Sequence, residues 1–308
     1  MATYDEISIV YIAGAGRSGS TVLDRVFGTL PNVSSFNELR VFFSGTNRDN
    51  LCACGEPLHT CPLWSEMDKR MLSLGCDFDE LQRLHNRVNH TRHIHKIVTN
   101  WVSGSFKQDL AEYQAWLRHF YFNLAELSES PVIVDSSKVP GMALILSQVP
   151  GINVHVVHLV RDVRGVVYSW QKVKSNPGDG GLMTQYAPMR TVRFWAALNL
   201  VSEYLAHRLP YTRVRYEDFA ANPASTMADI TGSIAALQNS RVPFLNEHEI
   251  ELQPLHSISG NPDGFTSGLV EIKTDDKWKA GRESGVRNQV TRWAAPLIKR
   301  YGYALDPS

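Results

Sequence analysis

No apolar run in this sequence approaches the ~18 residues that a membrane-spanning helix needs, so no transmembrane span is expected. Net charge is also missing. Thirty-one Lys+Arg balance 31 Asp+Glu, which argues against general nucleic-acid binding and leaves only a local anion site open. Four cysteines in 308 residues are too few for a disulfide framework. The N-terminus, "MATYDEISIV", has no basic n-region and runs directly into a strand-like segment; no signal peptide is expected, and a cytoplasmic location is the default. Internal repeats and low-complexity segments are absent. With 43% hydrophobic and 20% charged residues, the chain has room for a substantial core. The length suits one large domain or two, and residues 1–308 are read as one.

What the sequence does contain is an alternation of strand and helix patterns. Apolar, β-branched runs lie at 7–14, 131–137, 155–162 and 211–218, with a shorter one at 32–38. Val22, Leu23, Val26, Phe27 and Leu30 share a helical face, as do Val163, Val166, Val167, Trp170 and Val173, with Asp162 as N-cap. This pattern predicts an α/β fold: a three-layer, P-loop-like arrangement with a central parallel sheet of five strands flanked by helices. Ligands in such sheets bind at the carboxyl ends of strands. Residues 77–130 read as a helical insertion rich in His and aromatics. Segments 174–188 and 256–268 read as Gly/Pro-rich loops.

The first strand runs into "GAGRSGST" (14–21) and then a helix. Backbone N–H groups converge at such a turn, and the helix N-terminus adds partial positive charge, so this is an anion site. Two nucleotide patterns fit. Gly14, Gly16 and Gly19 spell G-x-G-x-x-G, with Glu38 placed for a ribose contact. The same stretch is a P-loop with Ser20 at the lysine position. The dinucleotide reading leaves Arg17, Ser18, Ser20 and Thr21 unexplained, and the triphosphatase reading lacks its lysine and an acidic strand end for Mg²⁺. An arginine and three hydroxyls without a metal partner suit a less charged group, such as sulfuryl.

"GRSGST" (16–21) resembles the 5′-phosphosulfate loop of the sulfotransferases that use 3′-phosphoadenosine 5′-phosphosulfate. "HLVRDVRGVVYSW" (158–170) resembles their second motif, and "RYEDFAANP" (215–223) a third. The resemblance, to bacterial-type members and to the tyrosylprotein and carbohydrate enzymes, implies that Arg17, Ser18, Gly19, Ser20 and Thr21 hold the donor's phosphosulfate. It implies further that Arg161 and Ser169 bind its 3′-phosphate and that Tyr216 lies beside the nucleotide. The product would be adenosine 3′,5′-bisphosphate, and no metal would be required. "SGNPDGF" followed by "DDKW" also resembles the family and adds Gly260 and Asn261, although many relatives carry a basic residue where this chain has Asp263-Gly264.

An acceptor hydroxyl must lose its proton, and Glu38 is the candidate base; it lies 21 positions after Arg17, a spacing similar to that between loop arginine and catalytic glutamate in the tyrosylprotein and carbohydrate enzymes. Its alternative is a surface carboxylate at a strand end. Arg40 would point the same way along the strand and hold Glu38 or an acidic acceptor. By resemblance, Lys138 joins Arg17 in neutralising charge on the leaving oxygen; a solvated surface lysine is the alternative. Asp135 and Ser136 shape the turn. Arg164 is read as a solvated helix charge. Expected acceptors are hydroxylated small molecules, glycosides or lipids, with Trp101, Trp116, Phe120 and Tyr121 lining an apolar pocket or packing the core. A homodimer is left open. A P-loop kinase with a degenerate lysine and a non-catalytic nucleotide-binding module are the competing functions.

"CACGEPLHTCPLW" brings Cys52, Cys54, His59 and Cys61 within ten positions. A structural zinc, a local disulfide and free thiols all remain open. His85, His90, His93 and His95 are read as solvated or core histidines.

Overall fold

A computed structural model describes residues 3–99, 103–258, 261–279 and 284–306. Five parallel strands form the sheet: β1 (Ile7–Gly14), β2 (Val33–Ser35), β3 (Val132–Lys138), β4 (Ile152–Val160) and β5 (Tyr211–Arg215), in the order β2-β3-β1-β4-β5. β1 is central because it is apolar on both faces. Ile7, Ile9 and Tyr11 face one core, with Phe120 and Ile133; Val10 and Ile12 face the other, with Leu23, Val26 and Phe27 of α1 (Ser20–Phe27). This period-two split supplies both helical layers with a buried partner.

The β2–β3 crossover holds four helices: α2 (Pro62–Ser73), α3 (Phe78–Val88), α4 (Ile94–Thr99) and α5 (Gly104–Leu127). The helical segment therefore begins upstream of residue 77. Pro62 starts α2, and Leu63, Trp64, Met67 and Met71 bury its apolar face. Further on come α6 (Pro140–Leu146), α7 (Val163–Gln171), α8 (Pro188–Leu205), α9 (Tyr216–Ala221) and α10 (Pro223–Ser233). A two-stranded antiparallel sheet, β6 (Glu249–Leu252) with β7 (Gly268–Glu271), precedes α11 (Ser284–Arg300). No helix of the described residues is long and apolar enough to cross a membrane.

Several expectations change. The 32–38 run stops at Ser35, because Asn37 takes a left-handed conformation (φ 58°) and Glu38 begins a 3₁₀ turn, Leu39–Ser44. Arg40 is thus on that turn and not on a strand. Phe120 and Tyr121 are fully buried in the core and Trp116 packs against it, so none lines the main cleft; Trp101 lies outside the described residues. Arg164 is not solvated. Its side chain is 1% exposed, paired through two nitrogens with Asp162 at 2.6 and 2.9 Å, and donates to the Ala304 and Leu305 carbonyls. The partner carbonyls arrive from the C-terminal end, far away in sequence. Asp162 also caps α7, as expected. His85 is a core histidine, its Nδ1 2.7 Å from Tyr113 Oη, and burial lowers its pKa to about 4. No disulfide joins any of the four cysteines, and His59 faces Asp49 at 3.4 Å.

Candidate active site

A cleft of about 520 Å³ opens at the carboxyl ends of β1, β3 and β4. Its floor is the β1–α1 turn. Gly14 has φ 129° and Gly19 φ 89°; a Cβ on Gly14 would lie 2.4 Å from the Leu159 carbonyl oxygen, and one on Gly19 2.5 Å from the Tyr216 ring. Both positions therefore require glycine. Ser18 is buried, and its Oγ has no partner among the described residues. Ser20 and Thr21 open α1 on the cleft wall, and Asn261 Nδ2 donates to Thr21 Oγ1 at 2.6 Å.

Two cations reach the cleft from strained backbone. Arg17 and Lys138 both have φ 68°, unusual for residues with a Cβ. A register shift between Tyr11 and Ala13 pairs Ala13 with Lys138, bringing the end of β3 beside the loop. Tyr11 Oη donates to the Val139 carbonyl at 2.8 Å and holds that end in place. The Arg17 guanidinium lies 5.0 Å from the Trp170 ring centre and donates to Met183 Sδ.

Lys138 Nζ lies 2.6 Å from Glu38 Oε1, and Arg40 Nη2 lies 2.9 Å from Glu38 Oε2. Burial alone would raise the Glu38 pKa. The Lys138 and Arg40 charges outweigh it and hold the carboxyl at about 2. Glu38 is therefore ionised but, in this arrangement, weakly basic.

Arg161 follows β4 with a side chain only 6% exposed. Its Nη2 pairs with Asp275 Oδ2 at 3.1 Å, its Nη1 donates to the Arg17 carbonyl, and its guanidinium stacks 4.3 Å from the Tyr216 ring centre. Ser169 on α7 lines the same cleft. Of the sequence-predicted residues, Arg17, Gly19, Ser20, Thr21, Glu38, Lys138, Arg161, Ser169, Tyr216 and Asn261 converge there, with Ser18 buried beside them. Gly260 lies outside the described residues.

Sequence reasoning missed Asp275, the ion partner of Arg161, although this residue opens "DDKW". It also missed Trp170, Met183, Tyr186, Phe194 and Leu198, which line the cleft. The Gly/Pro-rich composition of 174–188 was the available signal for Met183 and Tyr186, since this loop brings them over the cleft. Arg25 was missed too. It is buried in α1 and donates to the Gly264 and Gln253 carbonyls, tying both residues to the helix that follows the β1–α1 turn.

A family model described as "Sulfotransferase family" matches residues 10–234. The sulfotransferase domain from the Synechococcus PCC 7002 olefin synthase has a similar fold: TM-score 0.50 at 16% identity, covering 99% of this chain and 98% of that one. The sulfotransferase domain from the curacin biosynthetic pathway aligns with TM-score 0.49 at 18% identity, over 98% and 99% of the two chains. No curated protein matches the chain.

Proposed function

The chain belongs to the sulfotransferase family, and from that premise we propose that it moves a sulfuryl group from 3′-phosphoadenosine 5′-phosphosulfate to a hydroxyl of a small-molecule, sugar or lipid acceptor. The observation that carries this reading is one cleft lined both by the phosphate loop with Arg161 and Ser169 and by the Glu38–Lys138 pair. The residues fit the donor. Ser18 Oγ and Arg161 Nε are buried without partners among the described residues, and the cleft is within the usual ~300–1,000 Å³ of ligand pockets. The loop N–H groups, Ser20 and Thr21 would hold the 5′-phosphosulfate, and Arg161 and Ser169 the 3′-phosphate.

In the transfer, the acceptor oxygen bonds to sulfur, its proton passes to Glu38, and the bond from sulfur to the phosphate oxygen breaks. Lys138 and Arg17 neutralise the charge left on that oxygen. The Glu38–Lys138 pair adds a condition. While Lys138 is paired with Glu38, the carboxylate is a poor base. When the ammonium turns toward the leaving oxygen, Glu38 retains only Arg40 and its basicity recovers. The base is then active only with donor in place.

A metal-dependent kinase is less well supported. Asp135, on the strand beside β1, is fully buried and accepts from Tyr121 Oη, from the Leu39 and Ser137 N–H groups and from Ser137 Oγ; it does not line the cleft. Turnover of the sulfate donor with a panel of alcohols, phenols and glycosides tests the proposal. Sulfated product that falls about 10²–10⁴-fold in Glu38→Gln supports it. Donor binding with transfer unaffected by Glu38→Gln would remove Glu38 from the mechanism. Absence of donor binding would end the reading. A cytoplasmic location goes with this proposal.

A further inference from the structure

Away from the cleft, Cys52, Cys54, Cys61 and His256 meet, with one ligand atom from each within 4.8 Å of every other. None of the four lines the cleft. Cys52 and Cys61 are fully buried. Cys54 Sγ lies 3.7 Å from Cys61 Sγ, and His256 Nδ1 lies 3.2 Å from Cys61 Sγ and 3.9 Å from Cys52 Sγ. A tetrahedral zinc with bonds of about 2.3 Å to sulfur and about 2.0–2.1 Å to nitrogen has S–S edges of about 3.8 Å and S–N edges of about 3.5 Å. The observed S–N separations bracket their edge, and the Cys54–Cys61 separation is close to the S–S edge.

The backbone is shaped for the same cluster. Cys52 N–H donates to the Glu56 carbonyl at 2.8 Å and Cys61 N–H to the Pro57 carbonyl at 2.8 Å, closing a compact turn over residues 51–61. Ala53 N–H donates to the Ser257 carbonyl at 3.0 Å, docking this turn on the residue next to His256. The tight C-x-C spacing therefore presents two sulfurs to one point. The fourth ligand is the distant His256, whereas the nearby His59 is exposed and turned toward Asp49.

We propose that Cys52, Cys54, Cys61 and His256 bind one Zn²⁺ as a structural site. Three thiolates and an imidazole are a soft donor set suited to zinc, and four protein ligands leave no open position for catalysis. The thiols release their protons on binding. The site joins turn 51–61 to residues 253–258, which are also tied by Asn37 Nδ2 to Ser257 Oγ and by Arg25 to Gln253; Arg25 also holds Gly264, and Asn261 meets Thr21 in the β1–α1 turn. The metal thus fixes His256, five positions before the cleft residue Asn261. This inference does not rest on sulfuryl transfer.

The test is elemental analysis of the purified full-length protein after dialysis into metal-free buffer. About one zinc per chain is expected, and cobalt substitution should give thiolate charge-transfer and tetrahedral d–d bands. Cys61→Ser and His256→Ala should each fall below about a tenth of a zinc per chain, while His59→Ala keeps the full complement. Wild-type protein without metal, whether as four free thiols or with a Cys54–Cys61 disulfide by mass spectrometry, would overturn the proposal. So would loss of zinc in His59→Ala with retention in His256→Ala. The wild-type stoichiometry and cobalt spectrum decide the matter even if a cysteine variant fails to fold.

Discussion

Arg161→Ala separates the 3′-phosphate assignment from general damage to the cleft. The Arg161 side chain is 6% exposed, so its charge is little screened by water. A charge-assisted hydrogen bond to phosphate is worth about 1.5–3 kcal/mol, which is about 10- to 150-fold in dissociation constant. Calorimetric titration of wild type and Arg161→Ala with adenosine 3′,5′-bisphosphate and with adenosine 5′-phosphate forms a double cycle. The substitution also frees Asp275 and removes the donor to the Arg17 carbonyl. Those losses act on both nucleotides and largely cancel in the ratio. The bisphosphate should therefore lose about 10- to 150-fold, and the monophosphate about threefold at most. Equal losses for the two ligands would refute the contact between Arg161 and the 3′-phosphate.

Asp275→Asn removes the carboxylate that competes with the donor for Arg161, so bisphosphate affinity should rise about two- to fivefold by calorimetry, in keeping with an ion pair whose carboxylate side is partly exposed. The Glu38 carboxyl, held at about 2 in the free protein, should leave kcat/KM flat as pH falls to about 4; kcat should show its acid limb at higher pH, because Lys138 has turned to the donor. Stopped-time assays across pH on both parameters check this, and coincident limbs would contradict the switching of Lys138. Burial raises Asp24 from 3.8 to about 7. The folded state then holds a proton that the unfolded state releases, so this contribution to stability is full below about pH 4 and is lost as pH rises to about 7. Urea unfolding should show that Asp24→Asn lacks this decline, which is on the order of 4 kcal/mol.

The sheet and its loop were legible because their signals are local. β1 is apolar on both faces, and Gly14 and Gly19 sit where positive φ and close approach of neighbours exclude any side chain. Arg17, Glu38, Lys138 and Arg161 were findable because each lies at or just beyond a strand end, where a parallel sheet gathers ligands. What stayed hidden depended on distant contacts. Arg164 looked solvated because the carbonyls that bury it belong to Ala304 and Leu305. Phe120 and Tyr121 suggested a pocket, yet apolar burial at this spacing serves the core equally well, and here it does. Asp275 and His256 come from loops whose positions follow from packing, and no periodicity records such partners.

The central claim is that this cleft holds a 3′-phosphorylated sulfate donor and not a nucleoside triphosphate. Calorimetric titration of the wild-type protein with adenosine 3′,5′-bisphosphate, and separately with ATP and Mg²⁺, tests it directly. The account predicts that the bisphosphate binds at least about tenfold more tightly, since only it presents a 3′-phosphate to Arg161 and Ser169. Tighter binding of ATP with Mg²⁺, or no binding of the bisphosphate, would contradict it.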